Sequence, residues 1–286
     1  MRVVTLLVAL VLSPLAAGCH DSGERAAEPA VQRYVALGDS YTSGAGLAEI
    51  EKSSGDCQRS RLAYPSLVAK ELGADLVDVS CGGATTADAT HPQPRGGGPA
   101  NPPQLDGLTA STDLVTVGLG YNDFGFFVGL VVGCPSLAAS DPQGHPCQDS
   151  DGAKDGPKVV RTIGRSVRAT LEAVHERSPD ARVLLVGYPQ PVPAEGTCPE
   201  LPLAAGDYPF VRASFENLDT ELRQAADAAD ATYVDVMAAS AGHDICAGPD
   251  AWVNGAVAHD EVAAAYHPFA SEQRAVADLV LATLEH

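Results

Sequence analysis

The stretch YVALGDSYTSGAG, residues 34–46, places a serine directly after an apolar, strand-like run. The apolar run stops at Gly38-Asp39-Ser40, and small and polar residues follow it. In open parallel sheets, ligands bind beyond the carboxyl ends of the strands, so Ser40 is a candidate nucleophile if the sheet is parallel. Taken alone, a serine at this place is more often a turn or helix-cap residue. The rest of the chain has to decide between the two interpretations.

Strand-like and helix-like segments alternate along the chain. Besides the first run, the strand-like segments are ADLVDVS (74–80), DLVTVGLG (113–120), ARVLLVG (181–187) and ATYVDV (231–236). The helix-like segments are residues 62–73, 156–179, 208–230 and 268–284. This order predicts one domain with a five-stranded parallel sheet and helices on both of its faces.

Two intervals lack such a pattern, residues 90–104 and 134–157, and both are rich in Pro, Gly and Asp. Loops of this length inside a compact domain are usually functional or mobile. The second interval contains Cys134 and Cys147, which a disulfide can join.

The composition is that of a globular protein, with 286 residues of which 45% are hydrophobic and 19% charged. The formal net charge is −19. This charge argues against binding of nucleic acid, or of an anionic membrane through charge, because both require clustered Lys and Arg. We expect a neutral substrate.

The N-terminus has the pattern of an export signal. Arg2 precedes an apolar run that is too short to span a bilayer, and small residues end it, which predicts a signal peptide over residues 1–18. LAAGC resembles a lipoprotein signal, in which cleavage before Cys19 makes this cysteine the first residue and the site of lipidation. The fit is imperfect, since Ala16 stands where Leu is commonest. Plain secretory cleavage nearby is the alternative. Residues 19–32 predict a flexible tether, and residues 33–286 the folded domain.

The cysteine count fits export. There are seven cysteines, an awkward number in an oxidising compartment, and lipidation of Cys19 leaves six. Six cysteines allow 15 pairings, so spacing alone does not choose among them. No close CxxC pair is present, so we expect no metal cluster.

Four segments place polar residues where strands end or the last helix begins. Ser40 follows the first strand, Gly83 the second and Asn122 the third, and His267 precedes the last helix. A serine needs a base to act as a nucleophile, histidine is the usual base near neutral pH, and backbone or Asn amides can stabilise an oxyanion. The combination predicts acyl transfer. Each segment alone has an ordinary reading: Asn122-Asp123 as a turn, CGGATT as a helix-capping loop, and His267-Pro268 as a helix start.

ALGDSYTSGAG, SCGGATTAD, GLGYNDFGFF and HPFASEQ resemble, in order, the four conserved blocks of the SGNH, or GDSL, hydrolase family. The likeness spans roughly residues 33–284 and is greatest to the secreted bacterial lipase/esterase branch, which has three disulfides and a segment similar to WVNG at 252–255. The resemblance implies a flavodoxin-like three-layer α/β/α sandwich. The predicted hydrolysis requires no metal or cofactor.

The resemblance also implies residue roles. Ser40 is expected to be the nucleophile and His267 the general base and acid. The backbone amides of Ser40 and Gly83 and the side chain of Asn122 are expected to form the oxyanion hole. The implied disulfides are Cys57–Cys81, Cys134–Cys147 and Cys198–Cys246.

The chain departs from the family pattern at four positions. Tyr121 replaces a common glycine and is expected to narrow the site; Gly82 stands where Ser is frequent, and Phe269 where Asn is usual. The fourth departure is Ala264, which stands where many members carry the Asp that orients the histidine. Some members of the branch use a main-chain carbonyl instead. We therefore expect a Ser40–His267 dyad.

The carbonyl of Ala264 is expected to orient His267, with the carboxylate of Asp260 as the alternative. His259 is the rival base. The cluster of Phe124, Phe126, Phe127 and Val128 predicts either an acyl pocket or ordinary core. An α/β-hydrolase is rejected, because Thr42 occupies the last position of Gly-x-Ser-x-Gly.

The sequence thus predicts an exported serine esterase or lipase that hydrolyses carboxylic, fatty-acyl esters through an acyl-enzyme. The expected partner is a small-molecule or lipid ester, with no nucleic acid, and the expected state is a monomer. The protein is expected to be secreted or at the cell surface, held on the outer face of the membrane if Cys19 is lipidated. The alternatives are a carbohydrate O-deacetylase on the same fold and a non-catalytic cell-surface binding protein.

Overall fold

The computed structural model describes residues 1, 3, 31–96, 99–258 and 262–285. The chain divides into two units, residues 1–30 and 31–286, and the elements below all belong to the second. Cys19, nearly all of the predicted signal peptide and most of the predicted tether lie outside the described residues. Within the described part, no helix combines the length and apolar character that crossing a bilayer requires.

A five-stranded parallel sheet forms the centre of the second unit. Its strands are β1 (Arg33–Gly38), β2 (Asp75–Asp78), β3 (Leu114–Gly118), β4 (Arg182–Val186) and β5 (Thr232–Val234). The strand order is β2-β1-β3-β4-β5, and every pair is parallel. This order is that of flavodoxin-like folds and confirms the predicted fold.

The helices of the described residues connect or follow these strands. They are α1 (Ser40–Ser43), α2 (Tyr64–Leu72), α3 (Phe126–Val128), α4 (Cys134–Ala138), α5 (Asp151–Lys154), α6 (Gly156–Arg177), α7 (Tyr208–Ala228), α8 (Val236–Ala239) and α9 (Ala270–Leu284). Short 3-10 turns lie at Lys52–Cys57, Thr86–Ala89, Gln104–Gly107, Asp123–Gly125, Ala205–Asp207 and Gly248–Asp250.

A π-helical turn, Gly129–Gly133, joins α3 to α4. We call the continuous helical run of α3, this turn and α4 the 126–138 helix. Its second half and α5 lie in the interval 134–157, for which the sequence predicts no regular structure. Helices of four or five residues are too short for an amphipathic period to show.

Both faces of the sheet are covered, which explains why its strands are apolar without alternation. Val35 and Leu37 of β1 belong to the core on the α6 and α7 side, and Tyr34 and Ala36 to the core on the α2 and α9 side. All four side chains are fully buried. Each face is closed by the apolar stripe of two long helices: Ile163, Val167 and Leu171 of α6 with Leu218 and Leu222 of α7, and Val68 of α2 with Val276 and Val280 of α9.

The strand order reverses at β1, which lies between β2 and β3. A crevice forms outside the carboxyl ends of strands at such a point, because the chain leaves neighbouring strands toward opposite faces. Ser40 directly follows β1, and Asn122 follows β3. The fold therefore brings these two residues to the same crevice.

Three disulfides stabilise the loops around the sheet. They join Cys57 to Cys81, Cys134 to Cys147 and Cys198 to Cys246. These are the pairs that the family resemblance implies.

Candidate active site

Ser40 is presented on a tight turn at the end of β1. It is the first residue of α1, and the Asp39 carboxylate caps this helix by accepting a hydrogen bond from the Tyr41 amide at 2.9 Å. The Asp39 amide donates to the carbonyl of Gly118 in β3 at 3.0 Å. A Cβ at Gly38 would collide with the side chain of Thr42, so only glycine fits before this turn. In the Gly-Asp-Ser sequence, Gly38 is thus required by steric fit and Asp39 caps the helix that begins at Ser40.

His267 reaches Ser40 from the opposite end of the chain. Its Nε2 lies 2.8 Å from Ser40 Oγ, and its Nδ1 lies 2.7 Å from the main-chain carbonyl oxygen of Ala265. A carbonyl can only accept, so Nδ1 donates and carries the proton of the neutral ring. Nε2 is then free to accept the hydroxyl proton of Ser40, as a general base must.

The orienting carbonyl is that of Ala265, and the prediction of Ala264 is wrong. The Ala264 carbonyl accepts the His267 backbone amide at 3.1 Å and the Asn254 side-chain amide, also at 3.1 Å. Tyr266 has a left-handed φ of 59°, and the carbonyl that precedes it in the chain, that of Ala265, meets the ring. Asp260 and His259, the alternative orienter and the rival base, lie outside the described residues.

Burial sets the protonation of the two ionisable groups beside Ser40. It lowers the pKa of His267 below its usual value, and the hydrogen bond to the Ala265 carbonyl opposes this shift. Burial raises the pKa of Asp39 to about 7, against the hydrogen bond that the Tyr188 hydroxyl donates to it at 2.7 Å. His267 is therefore neutral, and able to act as a base, at neutral pH.

The predicted oxyanion donors lie in the same cleft as the dyad. Ser40, Gly83, Asn122 and His267 all line it. The Ser40 amide is at the first position of α1, where a helix offers an N–H no intrahelical acceptor. Gly83 has a φ of 74°, a conformation that side chains disfavour. Asn122 Nδ2 donates one hydrogen to the Ala84 carbonyl at 3.0 Å, and its amide has a second hydrogen to offer.

The cleft has a volume of about 700 Å³ and one apolar wall. The 126–138 helix supplies this wall through Phe127, Val128, Val131 and Val132. The predicted aromatic cluster is therefore divided: Phe127 and Val128 line the cleft, Phe126 is buried in the core, and Phe124 is exposed and does not line the cleft. The arrangement places a serine hydroxyl, a histidine ring and amide groups beside an apolar surface.

Tyr121 does not narrow the cleft. It is 2% exposed and stacks on Tyr188 with ring centroids 3.6 Å apart. Its hydroxyl donates to the Pro189 carbonyl at 3.3 Å. The ring that replaces the common glycine is accommodated beneath the site, where Tyr188 also supports Asp39.

Sequence reasoning missed the residues that hold the Ser40 and His267 segments together. The Tyr41 hydroxyl donates to the carbonyl of Tyr266 at 2.7 Å, which links the residue after the nucleophile to the residue before the base. The side-chain amide of Asn254 donates to the Ala263 and Ala264 carbonyls at 3.2 and 3.1 Å. Asn254 lies in the WVNG segment, whose family resemblance pointed to this part of the chain. Nothing in the sequence pointed to Tyr41.

Residues 36–274 match the GDSL-like Lipase/Acylhydrolase family. Lipase 2 of Streptomyces coelicolor is 40% identical over 256 residues, which cover 87% of this chain and 85% of that protein. The crystal structure of an extracellular lipase from Streptomyces rimosus has a TM-score of 0.74 at 28% identity, and the match covers 88% of this chain and 99% of that one. The crystal structure of phospholipase A1 from Streptomyces albidoflavus has a TM-score of 0.69 at 28% identity, and the match covers 90% of this chain and 100% of that one. The family match includes all the segments that line the catalytic side of the cleft.

Proposed function

Because the chain belongs to the GDSL-like lipase/acylhydrolase family of ester hydrolases, we propose that it hydrolyses fatty-acyl carboxylic esters through an acyl-enzyme on Ser40. The observation that carries the proposal is the 2.8 Å contact between Ser40 Oγ and His267 Nε2, in a cleft with an apolar wall. The names of the relatives, lipases and a phospholipase, agree with a lipid ester as substrate.

In the proposed reaction, Ser40 Oγ attacks the ester carbonyl carbon while His267 Nε2 takes its proton. The negative charge on the carbonyl oxygen is stabilised by the amides of Ser40 and Gly83 and by the Asn122 side chain. The C–O bond to the alcohol then breaks, and His267 returns the proton to the leaving oxygen. Water, deprotonated by the same ring, attacks the acyl-enzyme and releases the fatty acid and Ser40. No metal or cofactor enters these steps.

The Ala265 carbonyl performs one of the two tasks that a carboxylate has in a catalytic triad. It holds the ring in the tautomer that leaves Nε2 unprotonated. A neutral carbonyl stabilises the imidazolium less than a charged carboxylate does, so the dyad relies more on the oxyanion donors.

The test is turnover of p-nitrophenyl esters from acetate to palmitate by the wild type and two serine variants. We expect the highest kcat/KM for a chain longer than acetate, and a loss in Ser40→Ala of about 10⁴-fold or more. Ser43→Ala is the matched control, since Ser43 is another buried serine of α1, and it should retain activity.

The other outcomes of this experiment decide between the alternatives. Turnover of acetate alone would contradict the fatty-acyl proposal and favour a carbohydrate O-deacetylase. No turnover of any ester would contradict the esterase and favour a binding protein.

We also propose that residues 1–18 are an export signal, that Cys19 is lipidated, and that residues 19–32 tether the domain of residues 33–286. Three disulfides support an oxidising compartment, and the Streptomyces rimosus relative is described as extracellular. Metabolic labelling with a fatty-acyl donor should label the wild type but not Cys19→Ala. An unlabelled wild type would overturn the lipid anchor.

A further inference from the structure

A second cavity, of about 560 Å³, lies on the other side of the 126–138 helix from the catalytic cleft. The two share no lining residue: Phe127 and Val131 face the cleft, whereas Phe126 and Leu130 face the second cavity. Its remaining walls come mainly from α6 and α7, so we call it the α6/α7 cavity. Its volume lies within the range of about 300–1,000 Å³ that is usual for small-molecule sites.

The walls of the α6/α7 cavity are mainly apolar and carry no charge; the polar side chains among them are those of Ser136, Ser150, Ser214 and Asn217. Val159 and Val160 of α6 and Phe210 and Ala213 of α7 line it. Every residue that lines it in the described part of the chain has an uncharged side chain. An ionised head group buried there would lose its hydration without gaining a charged partner, which is costly. The cavity therefore suits an uncharged ligand.

Two glycines of the 126–138 helix leave part of this space empty. Gly129 and Gly133 have ordinary helical φ values of −59° and −63°. A Cβ built at Gly129 meets no atom within 4 Å, and one at Gly133 meets only the Val128 carbonyl oxygen, at 3.9 Å. Neither backbone conformation nor crowding requires glycine here, although glycine weakens a helix interior. The absence of these two side chains enlarges the cavity.

The cavity is held open by fixed elements. The disulfide Cys134–Cys147 ties the 126–138 helix, at the first residue of α4, to the loop that forms one wall. The fully buried carboxylate of Asp207 accepts hydrogen bonds from the amides of Cys147 and Gln148 at 3.0 and 2.9 Å. A preformed site binds a ligand without having to order its own walls.

Exposed apolar side chains stand among the lining residues. Phe124 is 66% exposed and Leu137 is 39% exposed, and both line the cavity. Phe124 also has a left-handed φ of 55°, which is rare for a bulky side chain. Backbone strain of this kind is often found where a ligand is held.

We propose that the α6/α7 cavity binds the aliphatic chain of an uncharged lipid, such as a long-chain alcohol or an acylglycerol, at a site separate from the catalytic cleft. The volume of the cavity suits a long ligand chain, and its mainly apolar walls suit an aliphatic one. The uncharged lining suits a ligand without charge. The proposal concerns binding and does not depend on the nucleophile of the esterase reaction.

Calorimetric titration of the full chain with 1-hexanol, 1-octanol and 1-decanol tests the chemistry of the ligand. We expect the affinity to rise about fourfold for each added methylene until the cavity is filled. Decanoate should bind at least tenfold more weakly than 1-decanol. Equal affinity for decanoate, or an affinity independent of chain length, would contradict the proposal.

Leucine substitutions at the glycines test the location. Gly133→Leu should fill the cavity and weaken 1-decanol binding at least tenfold, while turnover of p-nitrophenyl acetate stays near that of the wild type. Ala139→Leu adds the same side chain at an exposed position just after α4, outside the lining, and should bind as the wild type does. Unchanged binding in Gly133→Leu would contradict the assignment. Gly129→Leu serves as the second variant if Gly133→Leu does not fold.

A photoreactive decanol carrying a diazirine locates the site in the wild type, without any substitution. Label on Val159 and Val160 of α6 or on Phe210 and Ala213 of α7, which line only this cavity, would support the proposal. Label confined to residues of the catalytic cleft, or no label, would overturn it.

Discussion

In the proposed dyad, a main-chain carbonyl holds the histidine ring. Nδ1 of His267 donates to the Ala265 carbonyl at 2.7 Å, and Nε2 faces Ser40 Oγ at 2.8 Å. The ring is also buried, which lowers its pKa. At the scale of single residues, burial favours the neutral ring, and the hydrogen bond to Ala265, which opposes the burial shift of the pKa, selects the neutral tautomer with Nε2 unprotonated.

The pH dependence of kcat/KM follows from this burial. The free enzyme needs neutral His267, so activity should fall as the pH drops through the pKa of this residue. Since the pKa is lowered from the usual value of about 6.5, the acid limb of the pH profile should have its midpoint below that value. A midpoint above 6.5 would contradict this. Asp39→Asn is the control, since Asp39 itself has a pKa of about 7 and its removal should leave the acid limb in place.

Asp260 should be dispensable if the carbonyl is the only orienting group. We expect Asp260→Ala to retain kcat within about threefold, because the position of the ring is already fixed at Nδ1. Steady-state kinetics with a short-chain ester, together with circular dichroism to verify folding, measures this. A folded but inactive Asp260→Ala would show that a carboxylate completes the site.

At the scale of elements, α1 and the segment before α9 must be held at a fixed distance, because they carry Ser40 and His267, the two residues of the proposed dyad. The Tyr41 hydroxyl and the Tyr266 carbonyl make the direct link, at 2.7 Å. Gln273 of α9 adds a second one, since its side-chain amide donates to the Tyr41 carbonyl at 2.9 Å. The nucleophile helix is thus tied to the histidine segment on both sides of the His267-Pro268 step.

Removing the first link should affect the rate more than substrate binding. Tyr41→Phe leaves the Tyr266 carbonyl unpaired and loosens the position of His267, so we expect kcat to fall about tenfold with little change in KM. Tyr121→Phe is the matched control, because it removes a buried hydroxyl whose partner is the Pro189 carbonyl. Equal losses of kcat in the two variants would mean that Tyr41 has only a structural role.

At the scale of the whole molecule, the alternation of strands and helices was sufficient to predict the fold. The apolar runs that form β1, β3 and β4 are bounded by turn residues, and the long helices α6 and α7 have clear apolar stripes. The crevice at β1 and β3 then follows from the parallel order.

The finer parts of the site depend on local backbone geometry that the sequence does not display. The Ala265 carbonyl meets the ring in a turn where Tyr266 has a left-handed φ, a conformation that is rare for tyrosine and that the sequence does not predict. The 126–138 helix was missed because a π-helical turn with two glycines interrupts its amphipathic period. The α6/α7 cavity depends on that same turn, so it could not be predicted either.

The disulfides should stabilise the molecule in the order of the loops that they close. Cys134–Cys147 spans 13 residues and Cys198–Cys246 spans 48. Loop entropy gives contributions of about 3 and about 4 kcal/mol to the free energy of unfolding. Urea unfolding of the two paired Cys→Ala variants measures both losses. A larger loss for the shorter loop would mean that native contacts, rather than loop entropy, dominate.

The central claim is that Ser40 is the nucleophile and His267 its base. The most direct measurement is the rate of covalent labelling by diethyl p-nitrophenyl phosphate, followed by peptide mass spectrometry. We predict one diethylphosphoryl group per chain, on Ser40, and labelling at least about 10³-fold slower in His267→Ala. A label on another residue, or an unchanged rate in His267→Ala, would contradict the account.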